Sequence, residues 1–531
     1  MWTTSLYAYT RYSLFLIVLF SLTNYAKAQD CSQLTLQLED QSDIDEFAEE
    51  YPGCTVLKRL IISEGQFGTI TNLDSLYHLT KITNSLEIYS NDSLKSITGL
   101  RNISSIGASL RIFDNLSLES LAGLDSISVV PWNLDLARNG SLENFQGLGG
   151  IDSIGNSLAI GGHTNLLNLS GLNGIKAVPD HIRISENNKL ETLAGLDSLT
   201  SIGDYLQITQ NPALKDLQGL GKLSSIEGNV RIQENASLMT LEGLGPIQEM
   251  HYVIISENDS LQSLKGLDSL IHIEYSLAIT ENPLLPNLEG LEQLSQVGEQ
   301  LTIAENDLLQ EVNALTQLQG IGDLLTIASN PVLKHLDGLE SLSGIGEDQF
   351  ANDIQSLQII DNASLEQILG MSSLTYLRAD IDISYNPLLS FCDVPAICDY
   401  VKSEYQNWDD PWNDGIIREN SGACANIDSL FNACEGTIDS LDPDPDPNPN
   451  PGGIEPDSLT VFPNPFEKWL HVPRPNGMEL TSIRLLDSTG RIIKSLRNDQ
   501  VKFYLPNLQL GLYFLQVETR EERLMFKVVK R

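Results

Sequence analysis

A repeat with a period of 24 residues runs through most of this chain and leaves few folds open to it. The unit reads Leu-x-Ile-x-x-Asn-x-x-Leu-x-x-Leu-x-Gly-Leu-x-x-Leu-x-x-Ile-Gly. One copy begins Leu206-Gln207-Ile208-Thr209-Gln210-Asn211 and continues through Leu214, Leu217, Gly219, Leu220, Leu223 and Ile226. Its Asn recurs at Asn91, Asn115, Asn139, Asn187, Asn211, Asn235, Asn258, Asn282, Asn306, Asn330, Asn362 and Asn386, with His163 holding one place. Ten of the twelve steps are 24 residues and one is 23. The step from Asn330 to Asn362 is 32, which predicts a loop near Gly346 to Asp353. A degenerate earlier copy has Leu60, Ile62 and Gly65.

The alternation Leu-x-Ile makes a short strand with one face inward. The later leucines turn the chain and fill the same interior. Glycines such as Gly99, Gly123, Gly195 and Gly219 permit the corners. One turn alone cannot bury its leucines, so stability is collective. The inward Asn is polar and needs hydrogen bonds, which turns stacked at about 4.8 Å supply from the neighbouring backbone. His163 can replace those bonds. The expected fold class is mainly β: a parallel β-solenoid of about 14 turns, roughly 65 Å long, then a small C-terminal β-sandwich.

Residues 1–28 read as an export signal. Arg11 is basic, Leu14 to Leu22 is an apolar run too short to span a bilayer, and Ala26-Lys27-Ala28 is a small-x-small cleavage pattern. No later stretch reaches 18 uninterrupted apolar residues, so no transmembrane anchor is expected. Residues 29–59 then form an N-terminal cap, 60–391 the solenoid and 392–436 a C-terminal cap with Trp408 and Trp412. The six cysteines are Cys31, Cys54, Cys392, Cys398, Cys424 and Cys434, placed only before and after the repeats. An even count in an exported chain points to disulfides at the solenoid's two open ends. Cys31–Cys54 is the expected front pair. The rear four allow three pairings, and a zinc site is the rival reading, although the spacings differ from short zinc knuckles.

Alternating prolines from Pro443 to Pro451 forbid helix and sheet, so 437–458 is an extended spacer. Residues 459–531 carry strand patterns, among them Ser482-Ile483-Arg484-Leu485-Leu486 and Gly511-Leu512-Tyr513-Phe514-Leu515-Gln516-Val517, with a turn at Asp487-Ser488-Thr489-Gly490. This segment has a net charge of +5 against -44 for the rest.

Two resemblances follow. The run from Cys54-Thr55-Val56-Leu57 through Ser85-Leu86-Glu87-Ile88 and Leu100 to Ile106 resembles leucine-rich-repeat proteins of the receptor L-domain kind, over about residues 31 to 436. That resemblance implies a right-handed solenoid of parallel strands that binds polypeptides. The array here is longer than one L-domain, and no furin-like module follows it. The tail resembles the C-terminal sorting domain of the type IX secretion system. It does so in Val461-Phe462-Pro463-Asn464-Pro465, Asp487 with Gly490-Arg491, Leu505 to Leu508, Gly511-Leu512-Tyr513-Phe514 and Lys527-Val528-Val529-Lys530-Arg531. It implies a Gram-negative bacterium, handling by the type IX machinery, removal of the tail, and release or attachment at the outer surface.

The formal net charge of -39 repels phosphate backbones and anionic headgroups, so nucleic acid and membrane surfaces are disfavoured. None of the seven histidines has metal-ligand spacing, and no nucleophile elbow or phosphate loop appears. The chain therefore reads as a non-catalytic binding or adhesion protein with a protein or glycan ligand. The alternatives are a calcium-dependent polysaccharide-degrading solenoid and a structural surface element. Tyr89 and Phe113 are expected to stack outward on adjacent turns, with Arg111, Arg183 and Arg231 in the next column. Aromatics beside arginines suit a binding patch. Two residues past the Ile stand Glu186, Gln210, Glu234, Glu257, Glu281 and Glu305. Neighbouring charges there repel by roughly 0.9 kcal/mol at about 4.8 Å in water. Glu234, Glu257, Glu281 and Glu305 either stay inert or collect calcium, the one cofactor considered. Asp-Ser-Leu or Asp-Ser-Ile also recurs, as at Ser126, Ser198 and Ser269, and resembles a bacterial O-glycan acceptor; turn chemistry explains it equally.

Overall fold

A computed structural model describes residues 31–66, 69–346, 356–378, 380–404 and 416–435, and in the tail 469–471, 480–487, 491–496, 502–504, 511–519 and 523–530. The chain divides into two compact units, Met1–Asp439 and Ser440–Arg531. The export signal, most of the Gly346–Asp353 loop, Trp408, Trp412 and the spacer lie outside the described residues.

In the first unit each turn contributes one strand to a parallel sheet of sixteen, taken in chain order. The register is regular: Leu206 lies opposite Val230, and Val230 opposite Val253. Inward residues form one continuous core. Leu206, Ile208, Leu214, Leu217, Leu220 and Leu223 are all fully buried, as are their equivalents along the array. Two-residue strands such as Ser201–Ile202 and Ser225–Ile226 build shorter parallel sheets elsewhere on each turn. Among the described residues that secondary ladder breaks in three places, one of them between Ser225–Ile226 and Glu249–Met250, within the 23-residue step.

The Asn residues make the expected ladder. Asn211 Nδ2 donates to Ile184 O at 3.0 Å and to Asn235 Oδ1 at 3.2 Å, and its backbone N–H donates to the same Oδ1 at 3.1 Å. Just before each Asn the backbone turns left-handed. Among the described residues thirteen non-glycine positions, from Ser90 to Glu419, hold φ between 49° and 60°. Such a conformation costs about 1–2 kcal/mol per residue and persists here because the buried Asn contacts fix it.

His163 departs from the Asn pattern. Its Nδ1 faces Asn139 O at 3.2 Å and its Nε2 faces Leu136 O at 3.1 Å. Burial keeps the imidazole neutral, lowering its pKa from 6.5 against the weaker pull of those carbonyls. A neutral ring donates only once, so one carbonyl is not served, and it offers no amide oxygen to the Asn139 N–H. The folded state then binds a proton less tightly than the unfolded chain, so stability falls as pH drops through about 6.5. His163→Asn is expected to stabilise by about 1 kcal/mol at neutral pH and to abolish that acid loss. Urea unfolding at pH 7 and pH 5 reads both effects.

The sheet extends one strand past each expected solenoid boundary, because an open ladder edge leaves backbone groups unpaired. Thr35–Leu38 pairs with Arg59–Ile62 at the front, and Ile416–Arg418 pairs with Ile381–Ser384 at the rear. The Asn ladder also gains a rung, since Asn386 N donates to Asn420 Oδ1 at 3.0 Å. Helix α1, Gln41–Glu50, is capped by Asp40 and buries Ile44 and Phe47 over the first turn. Cys31–Cys54 joins the front cap to the first turn, with Cα atoms 5.7 Å apart. At the rear, helices α2 (Pro395–Glu404) and α3 (Ile427–Glu435) close the core. The zinc reading fails there: the sulfurs pair as Cys392–Cys424 and Cys398–Cys434, across Cα separations of 5.9 Å and 5.4 Å.

The second unit is antiparallel. Leu480–Asp487, Ile492–Leu496, Gly511–Thr519 and Arg523–Lys530 form a four-stranded sheet, and Trp469–His471 pairs with Lys502–Tyr504. Ile483, Leu485, Leu515, Val517 and Val528 are buried. Gly511 lies opposite Lys530 and Tyr513 opposite Val528. Pro463, Asn464, Pro465 and Gly490 lie outside the described residues.

Candidate ligand face of the parallel sheet

Each strand points two side chains away from the core. The residue before the strand and the left-handed residue after it border this outward face. Sequence alone placed Tyr89 and Phe113 together, and their rings stack at 4.7 Å with an interplanar angle of 4°. Arg111 is not free beside them, because its Nε donates to Asp135 Oδ2 at 2.8 Å. Arg59 binds Glu87 at 2.6 Å, and Arg138 Nη2 donates to Asp114 Oδ2 at 2.8 Å. That last bond holds the Asp114 carboxyl below its ordinary range. The front of the face is therefore tied up in ion pairs. Arg183 and Arg231 stand two turns apart further along, each beside a different pocket.

The most distinctive geometry lies just before the strands, at His181, Tyr205 and Tyr252, which directly precede theirs, and at Tyr275, one residue further back beside Ser276. His181 and Tyr205 stack at 4.4 Å with an angle of 6°, and Tyr252 and Tyr275 stack at 4.7 Å with an angle of 17°. These separations match the rise of a strand ladder, about 4.8 Å. Tyr205, Asn229 and Tyr252 occupy three consecutive rungs, because Leu206 N donates to Asn229 O and Val230 N to Tyr252 O. One rung of an aromatic stack is thus missing, and exposed Asn229 stands in its place. The gap opens into a pocket of about 450 Å³ lined by Tyr205, Gln207, Asn229, Arg231, Tyr252 and Ile254. Partial burial raises the pKa of both tyrosines, reinforced at Tyr252 by Glu299 and opposed at Tyr205 by Arg183. Both hydroxyls therefore stay protonated; that of Tyr252 donates to Glu299 Oε2 at 3.4 Å, and that of Tyr205 can donate to a ligand. Arg231 belongs to the expected arginine column. The two tyrosines were missed, although an aromatic before the strand recurs at positions 205 and 252.

The glutamate column occupies the left-handed positions after the strands. Glu234, Glu257, Glu281 and Glu305, joined by Asp259 and Asp307, line a groove of about 630 Å³. Desolvation raises the Glu281 pKa, helped by Glu257 and Glu305. Gln233 Nε2 donates to Glu257 Oε1 at 2.6 Å and Gln210 Nε2 to Glu234 Oε2 at 2.8 Å. Among the described residues no three His, Cys, Asp or Glu side chains converge to hold a metal ion. The column places one carboxylate per rung in file, whereas calcium needs about six to eight oxygens around one point. We therefore propose no calcium site there.

A further cleft of about 1100 Å³ opens where the secondary ladder breaks between Ser225–Ile226 and Glu249–Met250, with His251 Nε2 paired to Glu274 Oε2 at 2.7 Å. The Asp-Ser motifs serve the corners: Asp125, Asp197 and Asp268 accept from the N–H groups of Gly123, Gly195 and Gly266 at 2.8–2.9 Å.

Comparison with known proteins agrees with this architecture. Residues 460–531 match the family model of the secretion system C-terminal sorting domain. Residues 295–401 match that of the receptor L domain. The chain is thus a leucine-rich, receptor L-domain-like solenoid carrying a secretion sorting tail. Among solved structures, the crystal structure of a TLR13–ssRNA13 complex is similar at 14% identity, with a TM-score of 0.19 over 68% of this chain and 74% of that one. No curated protein matches the chain. The sorting tail marks a protein that is secreted or attached at the outer surface, and no helix among the described residues is long and apolar enough to cross a membrane.

Proposed function

We propose that this chain is an extracellular binding or adhesion protein that holds a protein or glycan ligand on the outward face of its parallel sheet. The interrupted aromatic stack carries this reading. Two stacked pairs leave an open rung between them, and water is a poor occupant for a slot with a ring on either side. Tyr205 and Tyr252 are the anchors, and Arg231 and Gln207 orient the ligand. Arg183, Tyr89, Phe113 and Arg111 extend the same face towards the front cap. The receptor L domain is a non-enzymatic binding fold, and the tail's role is engagement with the secretion machinery.

The test is an array of glycans and extracellular-matrix proteins probed with the full chain and with a Tyr205→Ala/Tyr252→Ala double variant. A buried aromatic anchor contributes about 2 kcal/mol or more to binding, so a defined hit is expected to weaken at least about tenfold in the double variant. A hit indifferent to both tyrosines removes the ligand from this face. A blank array favours a structural element of the cell surface.

A further inference from the structure

We infer that the missing rung between Tyr205 and Tyr252 takes a neutral hexopyranose ring of a glycan. This rests on the outward face being a ligand surface. The first argument is spacing. Tyr205 and Tyr252 are two rungs apart, about 9.6 Å. A single inserted ring sits about 4.8 Å from each, close to the 4.4 Å and 4.7 Å of the existing stacks. One face of each tyrosine is covered by His181 or Tyr275, so the uncovered face looks into the gap. The occupant must therefore be a flat body with an apolar face on both sides, and no thicker than one ring.

The second argument is the polarity around the rim. Asn229, Gln207 and Arg231 bring two amides and a guanidinium to the edges of the slot. The Tyr205 hydroxyl is a protonated donor, whereas that of Tyr252 already donates to Glu299 Oε2 at 3.4 Å. Among the described residues no ion pair involves Arg231. A phenyl ring would cover these groups without giving them partners, and unpaired polar groups are costly. A pyranose presents C–H faces to the two rings and hydroxyls to the rim, so it satisfies both demands.

The third argument is charge. The chain carries a net -39, and a file of carboxylates borders the same sheet on its other side. A polyuronate or sulfated glycan meets that field at every approach, and one guanidinium does not offset it. The sugar is therefore uncharged.

The test titrates the full chain with cello-, malto-, manno- and galacto-hexaose, with hexagalacturonate as the charged probe, by calorimetry at physiological salt. At least one neutral hexaose is expected to bind. Asn229→Trp, which fills the rung, is expected to weaken it at least tenfold with an unchanged Tm. Silence from all four neutral hexaoses overturns the inference. So does a bound hexaose indifferent to Asn229→Trp, or hexagalacturonate binding as tightly as the best neutral probe. If the hexaoses are silent while a matrix protein binds and is lost in the double-tyrosine variant, the sugar falls and the ligand face stands. If neither class binds, both fall.

Discussion

Asn258→Leu is expected to destabilise the solenoid by at least about 3 kcal/mol, read as a fall in the urea midpoint of the full chain. The side chains share the same branched heavy-atom skeleton, although the leucine methyls are bulkier than the amide. The loss comes from hydrogen bonds. Asn258 Nδ2 donates to Ile232 O at 3.0 Å and to Ser256 O at 2.9 Å, while its Oδ1 accepts from Asn235 N at 3.2 Å. In the leucine variant Ile232 O and Asn235 N lose these bonds in a site with no access to water, while Ser256 O keeps the Glu234 N–H at 3.2 Å. Each buried unsatisfied group costs about 1–3 kcal/mol. Turns contact only their neighbours, so the damage spreads as local opening on both sides of the broken rung. An unchanged midpoint would show that the ladder is ornamental and that the leucines alone hold the turns.

Gly219→Ala is expected to cost about 3 kcal/mol, against an effect within about 0.5 kcal/mol for Gly149→Ala. Gly219 sits at φ +115°, a conformation that side chains rarely adopt, and an added Cβ would lie 2.2 Å from Leu193 O in the turn before. Gly149 has a repeat-corner glycine beside it, yet nothing lies within 4 Å of its added Cβ. The two glycines are two corners of the same repeat pattern, so the contrast isolates close backbone approach from composition. Equal Tm values for the two variants would refute that account.

The solenoid was legible because its signal is repeated. Most rungs show the same Leu, Ile and Asn in the same order, and each local choice agrees with the next. The rung at Asn420 was not legible, since a 34-residue step containing Cys392, Cys398 and α2 separates it from Asn386. The stacking of Tyr89 on Phe113 could be read from two residues one period apart. The ion pair between Arg111 and Asp135 also spans one period, but it needs the rotamer as well as the spacing. Rear disulfide pairing needed the positions of α2 and α3, because three connectivities satisfy the sequence equally.

What the sequence determined by itself is the period, and with it the strand, the inward leucines, the polar ladder and the class of fold. Periodic burial admits only one way to hide that many leucines, and the sorting tail is written in local motifs. What only the tertiary structure decided is everything that depends on two turns meeting side by side. The rung spacing turns Tyr205, Asn229 and Tyr252 from three unremarked residues into an aromatic slot with one place open. The left-handed φ before each Asn sends the glutamates to the opposite border in file rather than gathering them around a cation. Both outcomes follow from one physical cause: stacking converts sequence distances of 23 and 24 residues into contacts about 4.8 Å apart, and a side chain's chemistry is set by that neighbour.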